Sequence, residues 1–229
     1  MNSPHNPTGG ILGREKLEKI SKVVKNNDSL WVFSDEPYCR TVHNEEFTSI
    51  ASIPGMQERT IMVDCVSKTY AMTGWRIGYA SNMKLAPHLS RWITNTDSCA
   101  AHPNQYAALA AITVPQQESH EMMRSYTRRR DIIVDGLNRT PGINCLKPGG
   151  AFYAWPNVTD ACKLVNARDS EEFRKRLLNE AGVAALSDIH FGHRNAGEGQ
   201  HIRLSYATSE KNIREGLERI RGFIEENTV

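Results

Sequence analysis

LWVFSDEPY, residues 30–38, and TIMVDCVSK, residues 60–68, share one design: a short apolar run that gives way at once to polar residues. Such runs, too short for a helix of ordinary length, predict strands buried on both faces. Before the first of them, Leu17, Ile20, Val23 and Val24 recur at helical spacing and Asn26-Asn27-Asp28 closes the pattern, which predicts an amphipathic helix. A helix followed by buried strands predicts an α/β fold with a mostly parallel, doubly wound sheet, in which ligands gather beyond the carboxyl ends of the strands. Asp35, Tyr38, Ser67 and Lys68 all fall at such ends.

Further along, RIGYA at 76–80 predicts a third strand, and helical stretches follow around 85–93 and 104–114, the latter ended by Pro115. Residues 118–138 read as one long helix able to bridge two domains. INCLKPGGAFYAWPNV, residues 143–158, reads as two strand-like runs about a Gly149-Gly150 turn. Asp169 with Glu172 resembles a reciprocal helix cap, and Phe173, Leu177 and Leu178 supply a core-facing stripe behind it. HIRLSYA, residues 201–207, predicts a strand, and Ser209 then caps a last helix seamed by Ile213, Leu217, Ile220 and Ile224. The organisation expected is a partial large domain over 1–115 and a small α+β domain with its interdomain helix over 116–229.

Composition narrows the function classes. The 28 basic residues nearly balance the 26 acidic ones for a net charge of +2, so no whole-molecule field points toward nucleic acid or a membrane surface. The one dense basic run, Arg128-Arg129-Arg130, is read as a solvated helix face. Five scattered cysteines without a CxxC pair fit reduced thiols in a cytoplasmic protein. His190 and His193 form an HxxH with no companion ligands at metal spacing, so no metal site is expected. The opening MNSPHNPTGG places turn formers ahead of any strand or helix, and reads as a connection whose preceding strand is absent.

Lysines are usually solvated, but Lys68 directly follows a buried strand and is trailed by TYAMTGWRIGYA. Walls of that kind disfavour the ammonium form and ready the amine for Schiff-base chemistry. SKTYAMTGWRIGYA at 67–80, with PHNPTG at 4–9, DEPY at 35–38 and RLSYA at 203–207, resembles the class I and II aminotransferases, fold-type-I pyridoxal-phosphate enzymes, close to their aspartate aminotransferase-like members. The four motifs stand in the family's order along nearly the whole chain.

The resemblance implies pyridoxal 5'-phosphate as cofactor and assigns roles residue by residue. Lys68 resembles the Schiff-base lysine that afterwards moves a proton. Asp35 resembles the carboxylate paired with the pyridine nitrogen, and Tyr38 and Asn6 resemble the donors to the phenolic oxygen, Asn6 also touching the substrate carboxylate. Arg76 resembles the phosphate-binding arginine, with Ser67 as a further hydroxyl. Relatives commonly place the phosphate-binding serine three residues before the lysine; that position is Cys65 here, and a thiol is a poor donor. Arg203 resembles the arginine that clamps the substrate carboxylate.

Amino-group transfer between an amino acid and a 2-oxo acid, in a homodimer, is the activity this implies. A β-eliminating or cyclopropane-forming lyase would share Lys68, Asp35 and Arg76, and a catalytically silent fragment that only binds is the reading from another class. In complete relatives a section before the Asn-Pro-Thr-Gly turn supplies the phosphate-gripping glycine loop, the aromatic residue stacked on the ring and several sheet strands. None of these is found here, so exposed sheet edges and apolar surface are expected.

Overall fold

A computed structural model describes residues 1–228. The chain divides into two compact units: Met1–His5, Gly10–Met123 and Gly149–Ala151 form the first, and Asn6–Gly9, Arg124–Pro148 and Phe152–Val229 the second.

The first unit begins with α1 (Arg14–Lys25), followed by β1 (Val32–Asp35), β2 (Thr60–Cys65), the single-turn α2 (Val66–Thr69) and β3 (Gly78–Ser81). β1 and β2 are parallel, with Val32 opposite Thr60 and Asp35 opposite Val63. β3 is antiparallel to β2, so the three-stranded sheet is mixed. Then come α3 (Ala86–Thr96), α4 (His102–Thr113) and α5 (Gln117–Asn138); Met123 and Arg124 inside α5 belong to different units.

Leu17 and Val24 of α1 close over Val32, Ile50, Ile53 and Met56, which makes one core on one face of β1. The expectation of burial on both faces fails. Phe33 is 58% exposed, because alternate strand residues point to opposite sides and the α1 side is the covered one, and Leu30 and Trp31 just before the strand are exposed too. Val23, expected in the helix stripe, likewise faces water. All of β3 is exposed, as are Trp92, Tyr106, Leu109 and Ile112 on α3 and α4.

The second unit carries β4 (Tyr153–Ala154), α6 (Thr159–Leu164), α7 (Ser170–Ala181), β5 (Leu186–Ser187), β6 (Ile202–Ser205) and α8 (Glu210–Asn227). Its antiparallel sheet has the order β4-β6-β5. Asp169 caps α7 by accepting from the Glu172 amide at 2.8 Å, while Glu172 returns a bond to the Arg168 amide at 3.0 Å. Ser209 caps α8 through the Asn212 amide. Phe173 and Leu177 of α7 are buried, as are Ile220, Phe223 and Ile224 of α8, and the Phe173 ring meets Phe223 edge-on, but Leu178 is 46% exposed, since it lies one residue round the helix from the seam.

Two further expectations are corrected. Only the second run of 143–158 forms a strand, and Gly150 pairs with Val42 of the first unit instead of turning a hairpin. Of the three consecutive arginines only Arg128 is exposed; Arg130 is 3% exposed and bonds Asp131 at 2.9 Å, because three neighbours on a helix span most of its circumference. No helix among the described residues is long and apolar enough to cross a membrane.

Replacing Asp169 by Ala leaves an amide of the first turn of α7 without its acceptor and is expected to cost about 1 kcal/mol. Chemical unfolding of the variant beside the unaltered protein measures it.

Candidate active site

In the first unit, parallel pairing delivers the carboxyl ends of β1 and β2 to one edge of the sheet. Asp35 is the last residue of β1, and its amide donates to the Met1 carbonyl at 2.9 Å. Asn2 Nδ2 donates to the Asp35 carbonyl at 2.9 Å and to Oδ2 at 3.2 Å. Burial pushes the Asp35 carboxyl above its ordinary value, and the charge of Asp64 adds to that rise. Tyr38 follows in the turn, almost fully buried.

Lys68 lies within α2, one turn beyond the end of β2 and not on the strand itself. Its Nζ is 5.9 Å from the centroid of the Tyr38 ring, which brings two of the sequence-selected residues together. Ser67, beside it, is buried. Arg76 occupies a left-handed backbone position with φ 55° after the turn Thr73–Trp75, and its exposed guanidinium donates from Nη1 to the Thr73 carbonyl at 3.1 Å.

Behind this edge is a network that sequence reasoning missed. Asp64 Oδ2 accepts from the Tyr79 hydroxyl at 2.6 Å and from the Cys39 thiol at 3.6 Å, and Oδ1 accepts from the Cys65 amide at 2.6 Å. Burial and the Asp64 charge push the Cys39 thiol up to about 12, so it stays protonated and donates. Glu36, also buried, accepts at Oε1 from the hydroxyls of Ser34 and Ser49, both at 2.7 Å. Opposition of Asp64 and Tyr79 in the β2–β3 register was the available signal, but it required the antiparallel pairing to be known.

In the second unit, β6 carries Arg203, whose Nη1 donates to Asn6 Oδ1 at 2.7 Å. These two residues, 197 positions apart, are the second pair the structure unites. The guanidinium carbon lies 4.3 Å from the Tyr153 ring centroid and 4.9 Å from that of Phe191. Phe191 was not singled out in the sequence; its position in the glycine-rich stretch FGHRNAGEG is the only local sign.

The loop bearing Phe191 is tied down by Asp188, whose carboxylate accepts from Arg194 Nε at 2.8 Å and Nη2 at 3.1 Å and from the Ser170 hydroxyl. Burial alone would raise this carboxyl, but Arg194, Ser170 and the His201 amide together hold it below the ordinary value. A cavity of about 870 Å³ in the same unit is lined by Thr8, Trp155, Asn157 and His201. In the first unit another of about 420 Å³ is lined by Thr69, Tyr70, Met72, Val114 and Ser119. None of the sequence-selected residues lines either cavity.

The family model of the aminotransferases of class I and II matches residues 1–220. The chain belongs to this family. A putative aminotransferase of Bacillus subtilis, YugH, is 39% identical over 99% of the chain and 56% of its own length. An asparagine–oxo-acid transaminase of Streptococcus mutans is 37% identical over 98% of the chain and 56% of its own length. Among solved structures, the aromatic aminotransferase of Pyrococcus horikoshii is 37% identical with a TM-score of 0.89, covering 98% of the chain and 59% of that protein. The aspartate aminotransferase of Rhizobium meliloti is 32% identical with a TM-score of 0.91, covering 100% and 58%. The chain thus spans somewhat more than half the length of these relatives.

Because folding lowers the Asp188 carboxyl, its contribution to stability is fully present above the ordinary carboxylate range, about 3.9, and is lost as pH falls through the lowered folded value. Unfolding midpoints measured from about pH 6 down to about pH 2 should therefore fall less steeply in Asp188→Asn than in the unaltered protein.

Proposed function

We propose that the protein acts in amino-group transfer between an amino acid and a 2-oxo acid, with pyridoxal 5'-phosphate as cofactor. The observation that carries this is the approach of Lys68 Nζ to Tyr38 at the sheet edge where Asp35 ends β1. The donor set of the first unit fits the cofactor group by group: an amine for the aldehyde, a carboxylate for the pyridine nitrogen, a phenol for the ring oxygen and a guanidinium for the phosphate. Lys68, Asp35, Tyr38 and Arg76 would hold it in those roles, with Ser67 as a further donor. When bound, this cofactor supplies an electron sink for the charge left as the substrate α-carbon loses its proton.

The chain's own groups do the rest. A carboxylate in a partly buried site such as that of Asp35 gains from a cationic partner, so it favours a protonated pyridine nitrogen. Lys68 would also serve as the base that takes the substrate α-proton and hands it on. Tyr38, almost fully buried beside it, offers a hydroxyl whose hydrogen bond steadies a phenolate. Arg203 offers a planar fork to the substrate α-carboxylate, oriented by Asn6.

Names of relatives that act on aspartate, asparagine and aromatic amino acids support an amino-acid donor without selecting one. Self-association as a homodimer is part of the proposal, supported by the exposed Trp92, Tyr106, Leu109 and Ile112. A cytoplasmic site of action is supported by five free thiols.

Addition of pyridoxal phosphate should give a yellow complex that borohydride makes permanent, with the label on Lys68. Lys68→Ala should abolish the adduct and lower transamination by at least about 10²–10⁴-fold. An amino-donor screen should yield the oxo acid and aminated cofactor; release of ammonia or a thiol would indicate a lyase, and no colour at saturating cofactor would defeat the proposal.

A further inference from the structure

Arg203 is confined by three groups of its own unit. Tyr153 covers one approach at 4.3 Å, Phe191 another at 4.9 Å, and Asn6 Oδ1 accepts from Nη1 at 2.7 Å. These supports differ in origin. Tyr153 rides on β4, where pairing with Ser205 of β6 fixes it two residues along from Arg203 in the ladder. Phe191 has no such ladder: it ends the 3₁₀ turn Asp188–Phe191 and is followed by Gly192 at φ 134° and a run of exposed loop.

An ion pair brackets Phe191 in the chain. Asp188, 9% exposed, and Arg194 are joined by two hydrogen bonds, at 2.8 and 3.1 Å, which close the loop from 188 to 194. Asp188 is fixed in turn by the hydroxyls of Ser170 and Ser187, the latter at 3.2 Å, and by the amides of Ile189 at 3.0 Å and His201 at 3.3 Å. Trp155 meets Phe191 edge-on at 5.6 Å. The nearly buried Asp188 carboxylate, bound bidentately by the partly exposed Arg194 and further by hydroxyls and amides, is a well-fixed anchor.

We infer that Asp188, Arg194 and Phe191 are positioning residues for carboxylate recognition: the ion pair holds the Phe191 ring against Arg203, and that ring fixes the direction of the arginine's free N–H fork. A guanidinium held this way loses little freedom when it accepts a ligand, so affinity for the carboxylate is set in part by residues that never touch it. The inference rests on the assignment of Arg203 to the substrate carboxylate, and the experiment separates the two.

Two ligands that differ only in the carboxylate, N-phosphopyridoxyl-L-alanine and N-phosphopyridoxyl-ethylamine, are titrated calorimetrically into the cofactor-free full chain. The unaltered protein should prefer the first, and Arg203→Lys should lose most of that preference. Phe191→Leu and Asp188→Asn should each lower it by about three- to thirtyfold, the range of a desolvated cation over a ring, while affinity for the ethylamine ligand is kept. If Asp188→Asn loses both ligands together, Phe191→Leu, which leaves the ion pair intact, decides the matter. Preference lost in Arg203→Lys but kept in Phe191→Leu overturns this inference alone. Equal affinity of the unaltered protein for the two ligands, or binding of neither, overturns the assignment of Arg203 and the inference with it.

Discussion

Parallel pairing of β1 with β2 is the constraint on which the first unit's chemistry depends. Two strands running the same way leave the sheet at the same edge, so the residues that follow them are neighbours however far apart they stand in the chain. Asp35 ends one strand and Lys68 sits one turn past the other, while the ring of Tyr38, which follows β1, comes within 5.9 Å of the lysine amine. Were the register to slip by one residue, Asp35 would move to the face packed on α1, because side chains alternate along a strand. Asp64 resists such a slip: its Oδ2 accepts from the Cys39 thiol, which follows β1, and from the Tyr79 hydroxyl of β3.

Arg203 obeys a different logic. A strand places it, but its side chain is long and gains its direction only from what surrounds it. Asn6 contributes the polar contact and the two rings contribute faces that attract a cation. Cation–π contacts leave the in-plane N–H donors unspent, so an arginine held between rings keeps its fork for a ligand, whereas one held by carboxylates would not. The acid nearest in this loop, Asp188, is committed to Arg194 and so does not compete for Arg203.

Much of this was legible in the sequence, and the failures have a common cause. Helix α1, strands β1 to β3, the long α5, the caps at Asp169 and Ser209, and the family itself were all readable, because each rests on local pattern or on a motif. Phe33, Val23, Leu178 and Arg130 were misplaced, because periodicity assigns a residue to a face but does not say whether that face is covered. The hairpin expected about Gly149-Gly150 failed for the same reason: two glycines signal a tight turn or a close approach with equal force, and here a side chain at Gly150 would collide with Pro4 and the Thr41 carbonyl. Phe191, Asp188 and Arg194 were invisible because their relation to Arg203 exists only once β5 and β6 have paired.

Position 65 shows how the same rules bear on the phosphate end of the site. The family resemblance implies a serine there, and a serine hydroxyl donates strongly to an anion whereas a thiol does not. Cys65 is half-buried at the last position of β2, and its amide is already committed to Asp64 Oδ1. That leaves Arg76, exposed and in a left-handed turn, as the group of the first unit best suited to a doubly charged phosphate. On the proposed assignment the first unit would meet the phosphate with the exposed Arg76, whose guanidinium donates to the Thr73 carbonyl, beside the Ser67 hydroxyl, and binding that leans on an exposed guanidinium should weaken with salt.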